Sequence, residues 1–109
     1  MQIRYDTETA CLVVRLDYEI DHHSATLLRA DIDAAIYAHL PRTLVLDLAD
    51  VAFMDSSGIG LIMGRYKILS PLGGEIVLRD PAPHIAQILR FAGMERLARI
   101  TRSAPKEVV

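Results

Sequence analysis

A short apolar run that leads into Asp-Ser-Ser-Gly constrains this chain more than any other feature. Residues 44–48 have the length and composition of a buried strand. Beyond Ser57, apolar residues recur at the spacing of one helix face, at Ile59, Ile62, Met63, Tyr66 and Leu69. The pattern predicts a buried strand followed by a helix with a buried face, and it places Ser56 and Ser57 where that helix begins.

Length, charge and cysteine content place the chain among ordinary single-domain proteins. It has 109 residues, of which 51% are hydrophobic, and a formal net charge of −2. A basic surface for nucleic acid is not indicated. The single cysteine excludes an internal disulfide, and no signal peptide or membrane-spanning run is recognisable. We therefore expect a cytoplasmic protein without a direct nucleic-acid or membrane partner.

The remaining patterns predict alternating strands and helices. Two β-rich stretches near the N-terminus predict a hairpin, and Asp21 or Ser24 is expected to cap a helix that ends before Pro41. A third helix opens near Pro83. Further strands are expected at residues 43–48, 75–79 and 97–101. The order ββαβαβα, with a last short strand, predicts an α/β fold: a mixed sheet of four to five strands with helices packed on it.

The Asp-Ser-Ser-Gly turn is open to two interpretations. Residues 55–57 are all good helix caps, and capping explains them without any chemistry. The glycines that follow favour a role beyond capping, because Gly58, Gly60 and Gly64 each cost a helix about 1 kcal/mol relative to alanine. Such a sequence suggests that the protein's own sheet or a partner approaches this backbone closely. A catalytic serine fits poorly, since the Gly-x-Ser-x-Gly elbow of hydrolases is absent.

Other polar residues are candidates for contact with a partner that approaches this turn. His22 and His23 lack the further ligands that a metal site needs, which favours a partner contact over metal binding. Asp21 is expected either to contact the partner or to cap the first helix. Arg65 is expected on the exposed side of the second helix, either facing solvent or meeting an acidic partner surface.

Residues 53–67 read Phe-Met-Asp-Ser-Ser-Gly-Ile-Gly-Leu-Ile-Met-Gly-Arg-Tyr-Lys and resemble the motif of STAS domains, specifically of sporulation-type anti-sigma factor antagonists. Residues 19–25 and the segment Gly-Gly-Glu at 73–75 support this resemblance. Tyr18 departs from the pattern, because such proteins usually carry glycine there. The resemblance implies one STAS domain over residues 1–101 and a C-terminal tail over residues 102–109.

The resemblance also implies a regulatory binding protein rather than an enzyme, without a cofactor or metal. Such proteins bind an anti-sigma factor that is also a serine kinase, and this frees the sigma factor for transcription. The kinase phosphorylates the first serine after the motif aspartate, here Ser56, which ends binding until a phosphoserine phosphatase resets it. The free protein is expected to be a monomer. The residues expected to bind the partner are Asp21, His22, His23, Asp55, Ser56, Ser57, Gly58 and Arg65.

Two alternatives stay open on the sequence. The chain could be a STAS module that does not switch, such as a scaffold subunit or a soluble component of a transporter. Ser57 could also take the phosphate in place of Ser56.

Overall fold

The computed structural model describes residues 1–103 as one main sheet, one small sheet and three helices. The main sheet contains β1 (Gln2–Asp6), β2 (Cys11–Arg15), β4 (Thr43–Asp47), β6 (Glu75–Arg79) and β7 (Arg99–Thr101). The small sheet contains β3 (Glu19–Ile20) and β5 (Phe53–Met54). The helices are α1 (His22–His39), α2 (Ser56–Leu69) and α3 (Pro83–Phe91), with short 3-10 turns at Ser70–Leu72 and Met94–Arg96.

The main sheet has the strand order β1-β2-β4-β6-β7. β1 is antiparallel to β2, whereas all later neighbours are parallel, as the helical crossovers require. The predicted α/β fold with a mixed sheet is therefore confirmed. The predicted C-terminal tail falls mainly on residues 104–109, which lie outside the described residues, and the division at residue 101 stays a prediction.

The core lies between one face of the main sheet and the helices. In register across β2, β4 and β6, Leu12, Leu44 and Ile76 are almost completely buried. Buried side chains of all three helices join the same cluster, among them Ile32 of α1 and Leu89 of α3. Each such side chain contributes about 2 kcal/mol through its removal from water, so this layer stabilises the platform on which the helices rest.

The small sheet is the main feature that sequence analysis missed. The sequence pattern assigns no strand to residues 17–21, but Glu19 and Ile20 pair in parallel with Phe53 and Met54. Ile20 and Met54 point into the core. A two-residue strand is too short to produce a recognisable period in the sequence, and only the packing of these two residues reveals it.

An ion pair joins α1 to α2 and corrects the prediction for Arg65. This side chain is only 4% exposed, so the expectation of an exposed partner contact is wrong. Its Nε lies 2.7 Å from Asp33 Oδ1, and its Nη1 donates to the Leu61 carbonyl at 3.2 Å. Leu61, Arg65 and Leu69 form the buried row of α2, whereas Met63, which the apolar pattern placed in the core, is 39% exposed.

Burial has an electrostatic consequence for this pair. It lowers the pKa of the Arg65 guanidinium, and the carboxylate of Asp33 opposes this effect. The contact fixes α2 against α1, and thereby the relative position of the two helix N-termini.

None of the helices within residues 1–103 combines the length and apolar character that crossing a bilayer requires.

We expect Asp33→Ala to lower the free energy of unfolding by about 2–4 kcal/mol, because it leaves a guanidinium buried without its counter-charge. The matched control is Asp50→Ala, which removes an ion pair with Arg15 in which both side chains are about half exposed. That variant should change the free energy by at most about 1 kcal/mol. Urea denaturation measures both values, and equal losses would contradict the structural role of the buried pair.

Candidate functional site

Two helices begin side by side because the small sheet pairs the strands that precede them. β3 leads through Asp21 into α1, and β5 leads through Asp55 into α2. Asp55 N–H donates to the Ile20 carbonyl at 3.2 Å, which ties the second helix start to the first strand. Both exposed N–H ends, each with partial positive charge, therefore meet at one edge of the molecule.

Each of these helices is capped by its aspartate. The Asp55 carboxylate accepts from the Ser57 N–H at 2.8 Å, and that of Asp21 accepts from the Ser24 N–H at 2.8 Å. The Ser24 hydroxyl in turn accepts from the Asp21 N–H at 2.9 Å, so the two candidate caps form one reciprocal box. The bond from Ser24 lowers the pKa of Asp21, which keeps this carboxylate charged.

The two adjacent serines face different surroundings. Ser56 is the first residue of α2 and is exposed, whereas Ser57 is half-buried. Ser56 borders a groove between α2 and α3, and Ser57 lines a second groove between α1 and α2. A phosphate on Ser56 would sit at a helix N-terminus, where backbone N–H groups and the helix dipole favour negative charge.

The groove beside Ser56, here called the α2–α3 groove, is apolar and has a volume of about 510 Å³. Ile59 of α2 and Ile88 of α3 are half-buried in its walls, and Phe91 at its rim is 95% exposed. Ala92 at the end of α3 also lines this groove and is exposed. Phe91 was missed, although its position off the apolar face of α3 is a signal: a phenylalanine on the polar side of an amphipathic helix requires an explanation.

The groove beside Ser57, here called the α1–α2 groove, is more polar and has a volume of about 290 Å³. It is lined by His22, Thr26 and Arg29 of α1 and by Ser57, Gly60 and Gly64 of α2, among others. Arg29 was not singled out by sequence analysis, because an arginine on a helix surface is usually solvated. Only the approach of α1 to α2 makes it part of a concave surface.

The three glycines of α2 have two different explanations. A Cβ on Gly58 would collide with the side chain of Met54, so this glycine lets α2 start directly against β5. A Cβ on Gly60 or Gly64 would meet nothing within 4 Å, because both open onto the α1–α2 groove. The close approach inferred from the sequence is therefore made by the protein's own strand at Gly58.

Most residues predicted for the site lie at this one edge of the fold. His22 and His23 are exposed on the first turn of α1, Ser56 is exposed on the first turn of α2, and Gly58 is buried behind them. Arg65 is the exception, since it is buried against Asp33 further along α2. Among residues 1–103, no three His, Cys, Asp or Glu side chains cluster in a way that could hold a metal ion.

The glycines give opposite expectations for the same substitution. Gly60→Ala should raise the free energy of unfolding by about 1 kcal/mol, because alanine favours helix and the space is open. Gly58→Ala should lower it by about 1–3 kcal/mol, because the added methyl group collides with Met54. Urea denaturation of both variants measures the difference, and a rise for Gly58→Ala would contradict the close packing of α2 on β5.

Comparison with known proteins agrees with this architecture. The model of the STAS domain family matches residues 2–106. An anti-sigma F factor antagonist of Paenibacillus polymyxa is 37% identical over 97 residues, which cover 89% of this chain and 83% of that protein.

Two solved structures are also similar at 31% sequence identity. The anti-sigma factor antagonist SpoIIAA in its unphosphorylated form gives a TM-score of 0.82 over 94% of this chain and 87% of that one. The Bacillus cell fate determinant SpoIIAA in the phosphorylated form gives 0.74 over 94% and 90%. Sequence and fold thus agree over nearly the whole length, and the chain belongs to the STAS domain family.

Proposed function

We propose that this protein is a cytoplasmic anti-sigma factor antagonist of the sporulation type. Its unphosphorylated form binds an anti-sigma factor that is also a serine kinase, and so frees the sigma factor. Phosphorylation of Ser56 ends this binding, and a phosphoserine phosphatase restores it. The observation that carries the proposal is the exposed Ser56 at the start of α2, at the border of an apolar groove.

The proposed docking surface combines a polar and an apolar part. The polar part contains the exposed His22, His23 and Ser56, with the half-buried Asp21, Asp55 and Ser57 between the two helix starts. The apolar part is the α2–α3 groove with Phe91 at its rim. A large exposed aromatic side chain beside a concave apolar surface is typical of the residues that dominate binding energy in protein interfaces.

The electrostatic effect of phosphorylation is large enough to switch such an interface. A charge of −2 placed 4 Å from a partner carboxylate costs roughly 8 kcal/mol at an effective dielectric constant of 20. The same pair in water costs only about 2 kcal/mol. Since reversing a 1:99 equilibrium requires about 5.5 kcal/mol, phosphorylation is decisive where docking removes Ser56 from water.

The fold itself tolerates the phosphate. Ser56 is exposed, and the N-terminus of α2 favours a negative charge, so the modified domain keeps its structure while the interface is lost. In the transfer step, the Ser56 hydroxyl oxygen attacks the γ-phosphorus of the kinase's ATP, the bond from that phosphorus to ADP breaks, and the hydroxyl proton passes to a base of the kinase. The present chain acts as ligand and substrate, and the kinase and phosphatase perform the catalysis.

Substitution of Ser56 separates switching from folding. In a pull-down with candidate anti-sigma factor kinases, we expect Ser56→Ala to be retained and Ser56→Asp to be lost, with unchanged free energies of unfolding. Incubation with the retained kinase and ATP should add one phosphate, located at Ser56 by mass spectrometry. Ser57→Ala is the matched control and should still be phosphorylated.

Two outcomes would overturn parts of this proposal. If the kinase phosphorylates Ser57 of the protein without substitutions, the assignment of the phosphate to Ser56 is wrong. Retention of Ser56→Asp, together with no phosphorylation of any residue, would favour a STAS scaffold that does not switch.

Truncation of Phe91 tests the apolar part of the surface. Because this side chain is 95% exposed, Phe91→Ala should leave the free energy of unfolding unchanged within about 0.5 kcal/mol. It should weaken kinase binding by about 2 kcal/mol, or roughly thirtyfold in Kd. Leu72→Ala removes another apolar side chain, 58% exposed, just beyond the far end of α2. Calorimetric titration should find its affinity unchanged, and equal affinities for both variants would exclude the α2–α3 groove from the interface.

A further inference from the structure

We infer that the α1–α2 groove receives an acidic side chain of the anti-sigma factor, with Arg29 as its main contact. This inference rests on the proposed function, since it assigns a second contact to the same partner. The groove begins at His22 and Ser57, next to the exposed Ser56. A partner that covers Ser56 therefore also reaches the groove.

The groove carries a surplus of positive charge. Both Arg29 and Arg65 line it, and the carboxylate of Asp33 pairs with Arg65 at 2.7 Å. Arg29 has no ion-pair partner within residues 1–103. Apart from burial, the positive charge of Arg29 also lowers the pKa of Arg65, so the two guanidinium groups share one electrostatic environment.

The form of the groove suits a side chain rather than a flat contact. Gly60 and Gly64 form part of its floor, and nothing lies within 4 Å of the position that a Cβ would take at either. The space of about 290 Å³ is ample for the end of a glutamate or aspartate. An arginine at its side provides the planar fork that binds carboxylates with two hydrogen bonds.

Charge reversal at Arg29 provides the direct test. Calorimetric titration of the kinase retained in the pull-down should find Kd for Arg29→Glu raised at least tenfold at low ionic strength. The matched control is Arg42→Glu, which makes the same charge change at an exposed residue just before β4, at the opposite end of the parallel strands. Its Kd should stay within twofold of the unmodified protein. The difference between the variants should shrink in higher salt, because screening weakens exposed charge pairs.

A second variant tests the space without changing the charge. Gly64→Gln places a polar side chain into the open groove and is compatible with a helix, so it should fold and bind at least tenfold more weakly. If Arg29→Glu binds no more weakly than Arg42→Glu, or if Gly64→Gln folds and binds normally, the inference is overturned. Continued loss of binding by Ser56→Asp in that case would leave the proposed function intact. Retention of Ser56→Asp would instead refute the switch itself.

Discussion

The parallel pairing of two very short strands is the constraint on which the site depends. β3 and β5 contribute only two residues each, yet their register places Ile20 beside Met54 in the core. The next residue of each strand is an aspartate that caps a helix, so two helix N-termini lie at one edge. Without this pairing, the segment before α1 would lack a fixed position relative to Ser56.

The helix α2 presents different sides to its two neighbouring helices. One side carries Ser56 and faces the α2–α3 groove, and the neighbouring side carries Ser57 and the open glycines and faces the α1–α2 groove, where Arg65 packs on α1. Successive helix residues diverge by about 100°, so the two adjacent serines border different grooves. This divergence is the physical reason why the two neighbouring hydroxyl groups have different surroundings.

Several parts of the site could be predicted because they depend on local chemistry. Asp55 as a cap and the start of α2 at the serines follow from short-range backbone preferences. The prediction that Arg65 is exposed was wrong because burial depends on which other segment packs against that side of the helix. Its partner Asp33 lies 32 residues away in the sequence. Phe91 and Arg29 became part of grooves only when α3 and α1 took their positions beside α2.

By itself, the sequence determined the alternation of strands and helices, the buried central strand and the position of Ser56 at a helix start. These features are encoded by periodicity and by capping, which act over a few residues. Only the tertiary structure decided which hydroxyl is exposed, which arginine is buried and which glycines face open space. The physical reason is that burial and charge compensation arise from contacts between distant segments, and these exist only once the helices have packed on the sheet.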